Sequence, residues 1–436
     1  MKVILTIILV LVCRTGYAQS IDARIGAAIN SGKWQELRTL YFAEGDELQS
    51  PLLHPLSKFF ISHFYNQPDS ALYYGTKLLK EHQPELGGSV GNIIYLLAND
   101  FAKTGQFGNA SSILHQFNEA MKTAGMKPMP LFLAFENQNR VIAQRGGFSL
   151  VRPQHEVKVP LKYHDTRSNP GMLFVKSKIN NVECDATYDT GAGVNMISQE
   201  LAKKLGVNIH DFEGVDIAGI HTGVSRFAVV DSLRLGDVVY RNIPFQVVDF
   251  STGNDKADSV IKQLKLHCVI GIQTMIPLGE IQLDFKNGNL IVPAKPTVKP
   301  HFAPNMYCSA ENVLILSVYD NKTDEAINAM LDTGASITQF TSNYYNRNKS
   351  LFLDIAPRDS VRIAGIGGVK TGRTLSTQWE YRIGDNTSSF TEPIVVNTDQ
   401  DADVMSQYDC LLGLPSLTKH DLVIISFQDM WVDFLH

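Results

Sequence analysis

Hydrophobic residues follow two different periodicities along the chain. From about residue 20 to residue 125 they recur every three or four positions, the spacing of amphipathic helices. Beyond residue 155 they alternate or run in short blocks, as in Val157–Tyr163 and Leu173–Ile179, which is typical of strands. Residues 125–155 contain proline and glycine breaks and predict a junction near Gln144–Pro153. The pattern therefore predicts an all-α N-terminal region followed by a mainly β region.

Two turns within the helical region look like the inner turns of helical hairpins, Asn66–Ala71 and Gly105–Ala110. The second resembles the glycine–aromatic–alanine signature of tetratricopeptide repeats. The spacing of the two turns is longer, however, than the repeat of about 34 residues in that family. A tetratricopeptide-like helical-hairpin domain and a plain helical bundle both remain open.

The β region contains a set of motifs that occurs twice in the same order. The stretch Ala186–Ser198 contains Asp189-Thr190-Gly191, and Ala329–Thr338 contains Asp332-Thr333-Gly334, roughly one ordinary domain length further on. Three further pairs follow at nearly the same spacing: Val215–Ile220 with Val361–Ile366, Cys268–Ile272 with Cys410–Leu414, and Ile281–Phe285 with Leu422–Phe427. One Asp-Thr-Gly alone would be weak evidence, but four ordered pairs indicate a duplicated unit.

This set of motifs resembles the aspartic proteases of pepsin and retropepsin type over roughly residues 155–436. Asp189–Gly191 and Asp332–Gly334 match the catalytic loops of that family, and Val269–Gly271 and Leu411–Gly413 match its late apolar strands. The resemblance implies a mainly β, two-lobed acid-protease fold, with tandem retropepsin-like lobes in a single chain.

The two aspartates explain how such a site would hydrolyse a peptide. Two carboxyls held about 3 Å apart cannot both ionise, so they share one proton. The ionised member accepts a proton from a water molecule, and the protonated member donates to the scissile carbonyl oxygen. Thr190 and Thr333 are suited to fix the loops across the lobe junction, and Gly191 and Gly334 permit a tight turn and close approach. No cofactor and no metal are expected.

Alanine follows the glycine in both copies, at Ala192 and Ala335, where pepsin-like members have Ser or Thr. The missing hydroxyls remove hydrogen bonds that would favour the ionised carboxylate. We therefore expect a less acidic pH optimum than that of pepsin.

Two glycine-rich turns are expected to be hairpin flaps that close over substrate. They are Gly219-Ile220 in the first lobe, and Gly365, Ile366, Gly367 and Gly368 in the second. An extended peptide or protein would pair with them in β-strand fashion.

Residues 1–18 read as a secretory signal, with a charged start at Lys2, an apolar run from Val3 to Val12 and small residues before Gln19. The product is expected to be periplasmic or secreted. Four cysteines follow the leader, Cys184, Cys268, Cys308 and Cys410; buried free thiols are preferred, although three full disulfide pairings remain open.

Composition excludes one class of function. The formal net charge is −5, and no basic tract is interleaved with aromatic residues, so no nucleic-acid partner is expected.

The sequence thus predicts a signal peptide at 1–18, a helical domain at 19–150 and protease lobes at 151–296 and 297–436. The expected product is a monomeric aspartic endopeptidase whose helical domain could bind a protein partner. Alternatives are a catalytically silent peptide-binding protein and a protease kept latent by its helical domain.

Overall fold

The structure is a computed structural model that describes residues 20–163, 171–217, 223–251, 254–263, 266–352, 360–365, 368–375, 378–391, 394–396 and 408–436. The chain divides into two compact units, Met1–Phe148 and Ser149–His436. The first is helical in its described part and the second is mainly β, which confirms the coarse fold prediction.

The described part of the first unit consists of α-helices joined by short turns. They are α1 (Ile21–Asn30), α2 (Trp34–Glu44), α3 (Leu53–Phe64), α4 (Pro68–Glu81), α5 (Gln83–Leu86), α6 (Val90–Lys103), α7 (Phe107–Thr123) and α8 (Pro130–Gln144). Consecutive long helices pack on one another, and one cluster buries Ile94, Ala98, Ala110, Leu114 and Phe132.

Helix α8 lies where the sequence pattern predicted only breaks after residue 125. Pro130 takes the first position of the helix, where the missing backbone N–H is not needed for hydrogen bonding. Gly146 and Gly147 then adopt positive φ and end it. The prolines and glycines were correctly read as boundaries, but the helix between them was missed.

Strands and short helices alternate in the second unit. Its first half comprises β1 (Ser149–Val151), β2 (Val157–Tyr163), β3 (Leu173–Ile179), β4 (Val182–Tyr188), β5 (Met196–Ser198), α9 (Gln199–Leu205), β6 (Ile209–Ile217), β7 (Gly223–Leu235), β8 (Val238–Val248), α10 (Asp255–Gln263), β9 (Cys268–Ile270), α11 (Ile272–Met275), β10 (Glu280–Asp284) and β11 (Asn289–Val292).

The remaining elements largely repeat that order. They are β12 (Met306–Cys308), β13 (Leu314–Asp320), β14 (Glu325–Asp332), β15 (Gln339–Phe340), α12 (Ser342–Arg347), β16 (Ser360–Gly365), β17 (Gly368–Leu375), β18 (Trp379–Ile383), β19 (Asn386–Phe390), β20 (Ile394–Val396), β21 (Cys410–Gly413), α13 (Leu414–Leu417), β22 (Leu422–Ser426) and β23 (Trp431–Leu435).

The strand pairing around each Asp-Thr-Gly is the same. Strand β4 runs parallel to β9 and β14 runs parallel to β21, while β5 and β15 pair antiparallel with β9 and β21. The helices that follow β5 and β15 are capped alike, because Ser198 Oγ accepts from Leu201 N and Thr341 Oγ1 accepts from Tyr344 N. The motifs that repeat in the sequence therefore occupy equivalent structural positions.

Two of the repeated strands join the halves directly. Strands β10 and β22 pair antiparallel, with Ile281 opposite Ile425, so that β22 and β23 extend the sheet of the first half. Side chains of this sheet, including Ile281, Leu283, Val423 and Ile425, are fully buried. The two halves consequently share one continuous sheet and a common core.

Among the described residues, no helix is both long enough and apolar enough to cross a membrane.

Candidate active site

Each aspartate ends or follows a strand that is paired with a fully buried strand. Asp189 follows β4, and its N–H donates to Ile270 O of β9 at 3.0 Å. Asp332 is the last residue of β14, where it lies opposite Gly413 of β21. Parallel pairing holds both loops at strand ends, the usual place for a functional side chain on a rigid scaffold.

The two loops are joined by reciprocal hydrogen bonds between Thr190 and Thr333, both fully buried. Thr190 N donates to Thr333 Oγ1 and Thr333 N donates to Thr190 Oγ1, each at 3.0 Å. Each hydroxyl then donates across the junction, Thr190 to Leu331 O at 2.8 Å and Thr333 to Tyr188 O at 2.6 Å. Every donor and acceptor of this network is satisfied, so the network holds the two loops in one fixed arrangement.

Gly191 and Gly334 leave room for the aspartate carboxyl of the opposite loop. A Cβ at Gly191 would lie 2.4 Å from Asp332 Cγ, and a Cβ at Gly334 would lie 2.4 Å from Asp189 Cγ. Neither glycine is among the described residues with positive φ. Close approach to the opposite carboxyl, rather than an unusual backbone angle, therefore explains both positions.

The two loops bring the carboxyl groups of Asp189 and Asp332 together, each of them lying against the glycine of the opposite loop. Each also accepts from the backbone N–H of the glycine two residues on, Asp189 from Gly191 at 2.8 Å and Asp332 from Gly334 at 2.9 Å. Two carboxyls this close repel each other when both are ionised, so one of them holds a proton. The geometry is therefore that of a pair that shares a proton.

Burial raises the pKa of both carboxyls. The pKa of Asp189 is raised because burial outweighs the hydrogen bonds donated by backbone N–H groups. The pKa of Asp332 is also raised, first by burial and then by the charge of the nearby Asp189. Because the groups are coupled, the two protonation steps belong to the pair.

Replacing Asp332 by asparagine is expected to stabilise the fold at neutral pH. A carboxyl whose pKa is raised in the folded state binds protons more tightly there than in the unfolded chain. The wild type therefore loses stability as pH rises above the ordinary carboxyl value of 3.8. Asparagine removes this penalty, and each unit of pKa elevation corresponds to about 1.4 kcal/mol. Thermal unfolding as a function of pH should show the variant more stable near neutrality and the difference vanishing in acid; a constant difference would contradict the assignment.

Two polar pairs beside the loops were missed by the sequence analysis. Asn195 Oδ1 accepts from Gly271 N at 3.0 Å and from Thr274 Oγ1 at 2.7 Å, joining the first loop to the segment after β9. In the second half, the Thr338 and Ser416 hydroxyls hydrogen-bond at 2.6 Å. Thr338 and Ser416 hold the places of Asn195 and Thr274 in the repeat. Aligning the halves shows that these positions are equivalent, but only the structure shows that the members of each pair are in contact.

The predicted flap residues can be located only in part. Gly219, Ile220, Ile366 and Gly367 lie outside the described residues. The backbones of Gly365 and Gly368 are described, and they face each other at the end of the β16–β17 hairpin. Strands β6 and β7 form the corresponding hairpin in the first half.

In the part of the chain that the structure describes, no three His, Cys, Asp or Glu side chains gather as a metal site would require.

Among the comparisons with known proteins, a family model agrees with the residues of the first loop. The family model described as aspartyl protease matches residues 175–273, which contain Asp189 and β9. No curated protein matches the chain. Among solved structures, a retropepsin-like aspartic protease from Rickettsia conorii is similar at 16% identity with a TM-score of 0.23, covering 33% of this chain and 91% of that protein. The family match supports, for residues 175–273, the resemblance to aspartic proteases that the motifs predicted.

Proposed function

We propose that the protein is an aspartic endopeptidase in which Asp189 and Asp332 together activate water for peptide-bond hydrolysis. The observation that carries the proposal is the contact between the two carboxyls across the reciprocal Thr190–Thr333 hydrogen bonds. A structural pair of aspartates would be ion-paired or solvated. These carboxyls instead face each other, and each accepts a hydrogen bond from a backbone N–H group.

The reaction follows from the single shared proton. The ionised carboxylate takes a proton from the attacking water, and the protonated carboxyl donates to the carbonyl oxygen of the scissile bond. The resulting tetrahedral intermediate collapses when a proton is returned to the leaving amine. Because the site holds both carboxyls and the water in place, the attack of water on the peptide carbonyl becomes effectively unimolecular and therefore faster.

We further propose that the two halves of the β unit are two retropepsin-like lobes, each contributing one aspartate and one hairpin. The repeated strand order and the equivalent pairing of β4 with β9 and of β14 with β21 support this division. The β6–β7 and β16–β17 hairpins then serve as the flaps. An extended peptide is the expected substrate because its backbone can add hydrogen bonds to such hairpins.

Hydrolysis of a diverse peptide library by the purified full chain tests the proposal. We expect internal peptide bonds to be cleaved without added metal and despite the presence of a chelator. Cleavage that a chelator abolishes, or that releases only terminal residues, would contradict an aspartic endopeptidase. Absence of cleavage at every pH would favour a peptide-binding protein instead.

We propose a tetratricopeptide-like, partner-binding role for the helical unit of an otherwise monomeric protein. Deleting residues 19–148, which leaves β1 in place, should leave hydrolysis of short peptides unchanged, whereas a large gain would indicate that the unit keeps the protease latent. Light scattering tests the monomeric state.

Export to the periplasm or the medium is proposed from the leader at residues 1–18. Mass spectrometry of the mature N-terminus in a secreting bacterium should find Gln19, and an uncleaved Met1 in the cytoplasm would contradict export.

A further inference from the structure

The first Asp-Thr-Gly loop borders a cluster of apolar side chains. The cluster includes Met196 of β5 together with side chains of the loop itself, β8, β9 and the segment after β8: Ala192, Val194, Val248, Phe250 and Val269. Ala192 and Val194 follow Asp189 closely in the chain, and both are only partly buried. A peptide whose scissile bond lies at the dyad therefore has an apolar surface beside it on the Asp189 side.

The duplication places a glutamine where this cluster has Met196. Aligning Asp332 with Asp189 aligns Gln339 of β15 with Met196 of β5. The strand pairing agrees, because Met196 lies opposite Val269 on β9 and Gln339 lies opposite Leu411 on β21. The second half of the unit thus has an amide at a position that is apolar in the first half.

Gln339 lies on the face of its strand that solvent reaches. Gln339 and Leu411 keep 7% and 6% of their surface exposed, whereas the adjoining Phe340 and Cys410, on the opposite face, are at 0%. Met196 keeps a similar 6% on β5. The two strands therefore turn equivalent faces towards solvent, and these faces carry Met196 in one half and Gln339 in the other.

The amide of Gln339 has no partner within the described part of the protein. A glutamine side chain offers two N–H donors and a carbonyl acceptor, but no described residue hydrogen-bonds to this amide. Nor is the amide one of the described polar groups that are enclosed without a partner, so it keeps access to solvent. Gln246, which lies opposite Met196 on β8, does have an interaction partner. Because an unpaired amide that is nine-tenths buried is costly, Gln339 has hydrogen-bonding capacity to offer a ligand.

We propose that Gln339 is a specificity-determining residue whose amide hydrogen-bonds a polar, uncharged side chain of the substrate. The apolar cluster around Met196 takes an apolar side chain in the equivalent position. Since the duplication relates the two positions about the dyad, they meet substrate side chains at equal distances on opposite sides of the scissile bond. The inference rests on the proposed protease function and names the class of peptide that the site accepts.

The amide favours asparagine, glutamine, serine or threonine in the substrate. Each of these side chains can pair with a group that both donates and accepts hydrogen bonds. A charged side chain would lose its hydration without gaining an opposite charge from Gln339. An apolar side chain would leave the amide unpaired, and a site that is built to hydrogen-bond rejects an analogue that lacks the polar group. We therefore expect the Gln339 side to discriminate more sharply than the Met196 side.

Cleavage sites in a peptide library, aligned on the scissile bond by mass spectrometry, test the inference. The wild type should prefer amide or hydroxyl side chains at one position and apolar side chains at the equidistant position on the other side. Gln339→Met should reduce the ratio of kcat/KM for polar over apolar side chains at the first position by about tenfold, the value of one hydrogen bond. The exchange variant Met196→Gln/Gln339→Met should reverse the two preferences, a result that mere damage to the fold cannot produce.

Denaturant unfolding separates a role in recognition from a role in folding. Gln339→Met should be at least as stable as the wild type, because it removes an unpaired amide from a buried position. Marked destabilisation would show that the amide is bonded within the protein and would overturn the inference. An active Gln339→Met variant with unchanged preference, or a wild type without a polar preference, would overturn this inference alone. A wild type that cleaves no peptide would overturn the proposed function and this inference with it.

Discussion

Replacing Asp189 or Asp332 by asparagine is expected to reduce peptide hydrolysis by about 10⁴-fold, since each change removes one of the two proton-transfer groups. Asparagine keeps the size of the side chain but can neither accept a proton from water nor donate an acidic one. The two losses should be similar, and the double variant should be little worse than either single one, because the carboxyls act as a unit. Turnover of one cleaved peptide, measured with enzyme in excess, checks this result.

Asp185 provides the matched control. Asp185 lies on β4, shortly before Asp189. Its carboxylate is exposed and forms an ion pair with Lys162 at 2.9 Å. Asp185→Asn should leave hydrolysis unchanged. Equal losses from Asp185→Asn and Asp189→Asn, or substantial activity in either dyad variant, would exclude the proposed mechanism.

Removing the hydroxyl of Thr190 should destabilise the β unit strongly. Valine has nearly the same shape, but Thr190→Val leaves Leu331 O and Thr333 N–H without their buried partner. Each buried group left unsatisfied costs about 1–3 kcal/mol, so a loss of about 2–6 kcal/mol is expected for the two groups. Thr333→Val should cost a similar amount, and the two changes should not be additive because they share one network. Denaturant unfolding measures all three variants.

Thr187 is a control for the threonine substitution itself. It is buried on β4, shortly before Thr190, and its hydroxyl finds no hydrogen-bond partner among the described residues. Thr187→Val should be neutral or stabilising because burying an unpaired hydroxyl is costly. If Thr190→Val is no more harmful than Thr187→Val, the reciprocal hydrogen bonds contribute little to stability.

The sequence predicted the features that depend on local pattern and on repetition. Helical and strand periodicities gave the coarse fold, and strands β2 and β3 have the predicted bounds of Val157–Tyr163 and Leu173–Ile179. The recurrence of Asp-Thr-Gly led directly to the two carboxyls that the structure brings together.

Features that depend on contacts between distant residues could not be predicted in the same way. Ile281–Phe285 and Leu422–Phe427 were recognised as equivalent strands, but periodicity does not show that they pair with each other. The hydrogen bond from Thr274 to Asn195 likewise depends on how the first loop lies against the segment after β9. Each of these contacts requires a pairing partner, which a single sequence does not specify.

The pH dependence of kcat/KM for one cleaved peptide, measured from about pH 3 to about pH 8, tests most directly whether a half-protonated aspartate pair performs the reaction. We predict a bell-shaped profile, because activity requires one carboxyl ionised and the other protonated. Both limbs should lie at higher pH than for two ordinary carboxyls, since burial raises the pKa of both groups. A maximum well below about pH 4 with negligible hydrolysis at about pH 6, or activity that rises steadily through neutral pH, would contradict the account.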